Sequence, residues 1–328
     1  MKVLVTGATG FVGSHLVHAL LQRGDSVRVL ARSAERATPL GAAGAEVRIG
    51  DLALPEGLAG IADGVDVVFH LGSAMHGSRE VFERVDVGGT EWMLREAERA
   101  RVARVVYVGT VSCYPIAQMK DNAVVDEHCL FDETGLLGHY ARAKSRAEAA
   151  VLAADRRGAI EGVIVRLGLV CGAGTSVFPP HIGQVVGGKR MLLFGDGSVP
   201  LPLTYIDNAV DALILGGTVP GIRGESFNIL DDDVLTQRQY IDLLQNFTGG
   251  KPRLVRLPRL AYFAIAAVSE ILAAVRRKEP STNRYRVKTR LRRVRWNCSK
   301  AKRLLHWRPR VPLREGLRQT FRAYAART

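Results

Sequence analysis

The sequence has no Cys-x-x-Cys pair; its four cysteines, Cys113, Cys129, Cys171 and Cys298, are scattered. That pattern gives neither a disulfide framework nor a thiolate zinc site, and free thiols are expected. The eight histidines never form a His-x-x-x-His pair beside a carboxylate, so no metal is expected. No secretory leader is expected either: Met1-Lys2 runs straight into the short apolar stretch Val3-Leu4-Val5 and a glycine turn, which points to a cytoplasmic protein. Acidic residues are scarce at one end only. Residues 251–328 hold 23 Lys+Arg and 3 Asp+Glu, a balance of +20, whereas residues 1–250 hold 23 and 29, or −6. The basic tail therefore suits a polyanionic neighbour, an anionic membrane surface or nucleic acid, rather than an acidic substrate. Tyr285 and Trp296 are thin aromatic interleaving for that stretch, which argues against nucleic acid.

The 328 residues are enough to bury a full α/β core. Short β-branched runs, Val3–Val5, Val27–Leu30, Val47–Ile49, Val65–Phe69, Arg104–Val108 and Gly162–Leu167, alternate with amphipathic segments. This is the rhythm of βαβ units, and it predicts an α/β fold, a doubly wound parallel (Rossmann) sheet with a smaller C-terminal substrate lobe. The sheet domain is placed at residues 1–170, with a further strand and helix near 204–230. Residues 171–328 are read mainly as the substrate lobe with its basic tail. Glycine- and proline-rich connections at Gly172–Gly174, Pro179-Pro180 and Pro200–Pro202 mark the change.

The first strand leads into Thr6-Gly7-Ala8-Thr9-Gly10-Phe11-Val12-Gly13, after which Val12, Leu16 and Leu20 fall at helical steps. Glycines between a strand and a helix let backbone N–H groups and the helix dipole approach a pyrophosphate. Thr9, Phe11 and Val12 belong to the same turn. About 20 residues on, an NAD site carries Asp or Glu for the ribose 2′-hydroxyl. Here the second strand ends in Ala31-Arg32-Ser33, with Arg36 a turn beyond. A guidinium-bearing side chain at Arg32 suits a 2′-phosphate. NADP(H) is thus the preferred cofactor and NAD(H) the alternative, unless Arg32 is only a solvated surface charge. Asp51 and Leu52 after the third strand, and Leu71, Gly72 and Ser73 after the fourth, are placed along the cofactor, although a strand-end aspartate is also a common helix cap.

His139-Tyr140-Ala141-Arg142-Ala143-Lys144 opens an alanine-rich helix, and the Tyr-x-x-x-Lys spacing puts phenol and ammonium one turn apart on one face. An adjacent cation stabilises phenolate and lowers its pKa, as acid/base work on a carbinol or carbonyl oxygen requires. Thr110, ending the fifth strand, is the hydroxyl partner, with Ser112 the competitor. Tyr140, Lys144 and Thr110 are accordingly the predicted catalytic residues, Tyr140 and Lys144 also facing the cofactor.

Taken together, these motifs with Val87-Gly-Gly-Thr90, Arg166-Leu-Gly-Leu-Val-Cys-Gly172 and Tyr205-Ile-Asp207-Asn208 resemble the extended short-chain dehydrogenases/reductases, the NAD-dependent epimerase/dehydratase superfamily. The resemblance covers nearly the whole chain. Val111-Ser112 follow Thr110 where the 4,6-dehydratases have Asp-Glu, and Leu201–Thr204 are apolar where nucleotide-sugar enzymes have an arginine. The nearest branch is the 3β-hydroxysteroid dehydrogenase-like and hopanoid-associated one, which implies a hydride transfer on a secondary alcohol or ketone of a steroid-, lipid- or polyketide-like substrate, and a homodimer. A nucleotide-sugar epimerase and a non-catalytic nucleotide sensor are the alternatives. Asp86 stands where the family has Asn, which puts the local turn in doubt but leaves the chemistry untouched.

One segment stays open. Leu260–Val275 is apolar on nearly every face, with Arg253, Arg256 and Arg259 before it and Arg276, Arg277 and Lys278 after. Its sixteen residues are short for a span of about 20. An interfacial helix drawn to anionic lipid and a buried helix of the lobe or a dimer contact fit equally. Arg284–Arg295 alternates like an edge strand or loop.

Overall fold

A computed structural model describes residues 1–179, 182–186, 190–250, 253–276 and 279–326. Pro180 of the predicted turn and Arg277 and Lys278 of the basic flank lie outside the described residues. The strands are β1 (Lys2–Thr6), β2 (Ser26–Ala31), β3 (Glu46–Ile49), β4 (Val67–His70), β5 (Arg104–Thr110), β6 (Ala123–Val125), β7 (Glu161–Leu167), β8 (Leu169–Cys171), β9 (Gln184–Val186), β10 (Arg190–Phe194), β11 (Leu203–Tyr205), β12 (Ser226–Ile229), β13 (Arg253–Leu257) and β14 (Val294–Trp296). The helices are α1 (Phe11–Gln22), α2 (Ala34–Ala42), α3 (Arg79–Phe82), α4 (Gly89–Arg99), α5 (His139–Arg156), α6 (Ile206–Thr218), α7 (Gln237–Phe247), α8 (Arg259–Arg276), α9 (Arg284–Leu291), α10 (Ser299–Leu304) and α11 (Leu313–Ala325).

Seven parallel strands form the central sheet in the order β12-β7-β5-β4-β1-β2-β3. The six strands expected from the apolar runs are all present, the fourth shifted to Val67–His70. The order reverses between β1 and β4, so the carboxyl ends of those strands border the crevice where a doubly wound sheet takes its ligand. Both faces are apolar, since strands covered by helices on each side read as unbroken Val/Ile/Leu runs. Val3, Val5, Val29 and Phe69 pack with α1 and α6 on one face; Leu4, Val68, Val105 and Tyr107 pack with Met93 of α4 and Ala147 and Val151 of α5 on the other.

The tail does not form a separate body. Trp307, nearly fully buried, donates its indole N–H to the carbonyl of Asn208 at 2.9 Å, and Gly316 of α11 lies so close to the ring of Tyr205 that a Cβ would strike it. Within the Arg284–Arg295 run the edge strand or loop that its alternation suggested holds only for the last four residues. Arg284–Leu291 form α9, capped by the Asn283 side chain, and Val294 and Arg295 belong to β14, which pairs in parallel with β6. Its alternating cations face solvent and acidic partners while Val287 and Leu291 turn inward against α8. Helix α8 is buried along one face only, through Tyr262, Ala266 and Ala273. Among the described residues no helix is long and apolar enough to cross a membrane.

Candidate active site

The glycine turn is shaped by contacts that leave no room for side chains. Gly7 adopts φ +68°, and a Cβ there would lie 2.7 Å from the Leu71 carbonyl carbon; one on Gly13 would run into the Gly7 carbonyl oxygen. Helix α1 therefore starts hard against the end of β1. Gly10 at its N-cap has no side-chain cap, so the first-turn N–H groups remain for an anion. Phe11 packs edge-on to His15 at 5.0 Å and closes on Gly172, while Thr9 and Val12 are half-buried beside it.

The floor of the crevice is a hydrogen-bond chain that joins two strand ends, of β1 and β4, to helix α4. The Gly72 N–H donates to Thr6 Oγ1 at 3.0 Å, Thr6 Oγ1 bonds His70 Nδ1 at 2.8 Å, and His70 Nε2 bonds Thr90 Oγ1 at 3.0 Å. Thr90 in turn donates to the Asp86 carbonyl. With its proton used there, Thr90 can only accept from the ring, so His70 carries its hydrogen on Nε2 and accepts from Thr6 at Nδ1. Burial and the nearby Lys144 charge push the His70 pKa down to about 3, which fixes this neutral form. Leu52 is buried under Gly72 and Gly89, where a Cβ on either would meet it. Asp51 caps its own turn by accepting from the Ala53 N–H at 2.9 Å, and Arg36 reaches over to donate to the Thr9 carbonyl at 3.2 Å. Exposed Arg32 directly follows β2.

At the other side of the crevice, Thr110 closes β5 near the Tyr140 hydroxyl, where its own hydroxyl favours the phenolate. Ser112 is exposed, and its backbone N–H donates to Thr110 Oγ1 at 3.1 Å; of the two hydroxyls, that of Thr110 acts on the Tyr140 phenol. Tyr140 sits edge-on to Phe82 at 6.1 Å between ring centroids, in an apolar pocket with Val87 and Ala143. Lys144 is buried on the next turn of α5, its Nζ 4.4 Å from the centre of the Tyr107 ring.

The electrostatics differ from the sequence expectation in sign. Burial raises the Tyr140 pKa well above its ordinary value, Cys113 and Asp86 add to this, and the Thr110 hydroxyl opposes it. Lys144, which was expected to lower the phenol, is itself held below its ordinary value by desolvation, and its ammonium is engaged by the Tyr107 face and the charge of Asp86. The phenol is accordingly protonated at neutral pH.

Asp86 also departs from its expected role. It lies in a π-helical turn, Glu83–Gly88, almost fully buried, and accepts from the Ser73 hydroxyl and from the Ala74 N–H at 3.0 Å. Burial pushes its pKa up while Lys144 pulls it down. The turn is well supported, and the carboxyl acts electrostatically on both Lys144 and Tyr140. Its position one residue before Val87-Gly-Gly-Thr90 was the available signal. The Thr6–His70–Thr90 chain was not anticipated, because it joins residues more than sixty positions apart in the sequence.

These features fit a nicotinamide dinucleotide: a glycine cradle with no space for a Cβ, open N–H groups at α1, and at the far end half-buried Tyr140 and Thr110 with buried Lys144. The chain matches the NAD dependent epimerase/dehydratase family over residues 3–229 and belongs to it. It is an NAD(P)-dependent oxidoreductase-type enzyme of the extended short-chain dehydrogenase/reductase class. It is 32% identical to the 4-hydroxy-2-methyl-3-oxo-4-farnesyl-3,4-dihydroquinoline-1-oxide ketoreductase of Stigmatella aurantiaca, over 97% of this chain and 95% of that protein. It is 30% identical to the 2-alkyl-3-oxoalkanoate reductase of Stenotrophomonas maltophilia, over 99% and 100%. Its fold matches the structure of MoeE5 in complex with UDP-glucuronic acid and NAD with a TM-score of 0.77 at 23% identity, each chain covered in full.

Proposed function

We propose that the protein is an NADP(H)-preferring ketoreductase acting on a carbonyl, or in reverse a secondary alcohol, of a hydrophobic substrate. The observation that carries this reading is the Tyr140 phenol, set beside Thr110 against the apolar cluster of Phe82, Val87 and Ala143 and kept protonated by desolvation. A bound nicotinamide would supply the hydride. Thr110 and Tyr140 would hold the carbonyl oxygen between their hydroxyls, and Tyr140 would give its proton to that oxygen as the carbonyl carbon becomes a carbinol. Lys144, one turn on, would help hold the nicotinamide ribose through its ammonium N–H groups. Gly7, Thr9, Gly10, Phe11, Val12 and Gly13 would hold the pyrophosphate, and Asp51, Leu52, Leu71, Gly72 and Ser73 would lie along the rest of the cofactor.

The apolar lining at Phe82, Val87 and Ala74 beside Tyr140 supports a hydrophobic substrate, as do the farnesyl and alkyl ketones named for the two relatives. Preference for NADP(H) rests on Arg32 just after β2 and Arg36 at the glycine turn, which would form charge-assisted bonds to a 2′-phosphate. The test is a screen of 2-alkyl-3-oxoacids, prenylated cyclic ketones and 3-ketosteroids, with cofactor absorbance as readout and both cofactors compared. Turnover of at least one class with NADPH is expected. Turnover confined to nucleotide sugars would overturn the proposal.

A further inference from the structure

Helix α8 carries its apolar residues on the wrong side for a globular protein. Tyr262, Ala266 and Ala273 face inward, and that inner face accounts for the packing of α8 on the rest of the lobe. On the opposite side Leu260, Val268, Ile271 and Val275 form a stripe at helical spacing, with Ile265 and Leu272 along its flank, and all six are exposed. Leu260 is 82% exposed, Ile271 64% and Val275 79%. Scattered exposed apolar residues are ordinary, but a continuous stripe along a helix marks a contact surface.

The charges around the stripe say what kind of surface it meets. The single carboxylate of α8, Glu270, is drawn to α9, accepting from the Arg284 backbone N–H at 2.7 Å and from its Nε at 2.8 Å. No acidic side chain therefore competes on the outer face. Arginines stand at both ends: Arg253, Arg256 and Arg259 before the stripe and Arg276 after it, all exposed. A second copy of the chain docked on this face about a twofold axis would bring Arg259 of one helix towards Arg276 of the other, cation against cation. An anionic lipid surface accepts every one of them. The helix, 18 residues long, rises about 27 Å, and with arginines at both ends it is suited to lie in the interface rather than to cross a core of about 30 Å.

The unit that carries the stripe is fastened to the entrance of the active site. Asn283 Nδ2 donates to the Leu136 carbonyl at 2.9 Å, Arg286 Nε donates to the Leu137 carbonyl at 3.1 Å, and Glu279 pairs with His139 at 3.1 Å. Tyr285 donates to Asp132. These four contacts grip the segment that leads directly into Tyr140, and Leu136 in that segment is itself exposed.

We infer that α8 is an interfacial helix that seats the protein on an anionic bilayer, apolar stripe in the acyl boundary and arginines among the headgroups, next to the approach to Tyr140. The test is co-sedimentation of the full chain with vesicles of phosphatidylcholine alone or mixed with phosphatidylglycerol, at low and high salt. Wild type is expected to pellet with the mixed vesicles at low salt, several-fold less at high salt, and little with phosphatidylcholine alone. Ile271→Asp is expected to lower the pelleted fraction at least fivefold while keeping the wild-type circular dichroism spectrum, and Val268→Asp serves the same purpose should Ile271→Asp fail to fold. Replacing Arg253, Arg256 and Arg259 with Gln should weaken anionic binding and remove its salt dependence. The inference is overturned if wild type stays in the supernatant with mixed vesicles or if the aspartate variants pellet as well as wild type. It is equally overturned if sedimentation velocity shows a stable dimer that Ile271→Asp splits, for then a second copy covers the face. Vesicle binding is read without turnover, so its failure is distinct from failure of the ketoreductase proposal.

Discussion

Arg166 of β7 and Glu148 of α5 form an ion pair sealed in the core, with Nη2 2.5 Å from Oε1 and Nε 3.1 Å from the same oxygen. Arg166 Nη1 also donates to the Tyr114 hydroxyl at 2.6 Å, which donates to Asn228 Oδ1 at 2.9 Å. Glu148 lies one turn beyond Lys144, so the pair clamps the helix that carries Tyr140 and Lys144 onto the sheet. Removing one member leaves the other charge buried and unpaired, a cost of about 3–5 kcal/mol. Glu148→Gln should lower the unfolding free energy by an amount of that order in a urea titration. The double variant Glu148→Leu/Arg166→Met should lose less than Glu148→Gln alone; a larger loss would mean that the hydrogen bonds to Tyr114 matter more than the charge.

Tyr140→Phe removes the proton donor and keeps the ring that packs on Phe82. Turnover should fall by at least about 100-fold, with cofactor affinity measured by fluorescence nearly unchanged. Thr110→Val should reduce turnover less and raise the phenol further, because it deletes the neighbouring hydroxyl that favours phenolate.

Asp86→Asn tests whether the carboxyl at the π-helical turn tunes the site. Its negative charge raises the Tyr140 pKa, so the neutral amide should lower it. In the alcohol-oxidising direction, where the phenolate is the base, the rising limb of the pH–rate profile should move to lower pH. An unmoved limb with normal folding would assign Asp86 to the turn alone.

Cofactor choice should follow Arg32. In wild type NADP(H) should bind more tightly than NAD(H) by about 10- to 100-fold, the scale of one or two charge-assisted bonds, and Arg32→Asp should reverse the order in a calorimetric titration. Equal affinities in wild type would remove the basis for the preference.

His70 makes stability depend on acid. Its pKa is pushed down to about 3 in the folded chain against about 6.5 unfolded. Between these values the unfolded chain binds a proton that the folded chain refuses, so this contribution is full above pH 6.5 and is lost as pH falls, by up to about 1.4 kcal/mol per pH unit. His70→Asn should be less stable than wild type at pH 8, and the gap should narrow steadily below pH 6.5. A gap of constant size would show that His70 is not held neutral.

The sheet and the glycine turn were legible because each is set by local pattern: strand runs with period two or full burial, and glycines where a Cβ would strike the neighbouring backbone. Thr110 and Tyr140 could be paired because one ends a strand and the other opens a helix at the same crevice. What could not be read was long-range electrostatics. The phenol pKa depends on how deeply Phe82 and Ala143 bury it and on a carboxyl more than fifty residues away, and Lys144 looked like the dominant charge only because spacing shows neighbours on one helix. Arg284–Leu291 was misjudged for a related reason: alternating cations resemble a strand until Asn283 caps the turn and Val287 finds α8.

The pairing of β14 with β6, in register from Val294 with Ala123 to Trp296 with Val125, constrains how the chain is made. A ribosome delivers β6 long before β14, and α11, which covers Tyr205, comes later still. All seven strands of the central sheet can be laid down once Ile229 has emerged, yet the apolar surfaces that receive Trp307, Leu317 and Phe321 stay uncovered until α11 has been made. During that interval the nascent protein presents a finished sheet with an unfinished coat, and it is then that a chaperone has most to hold.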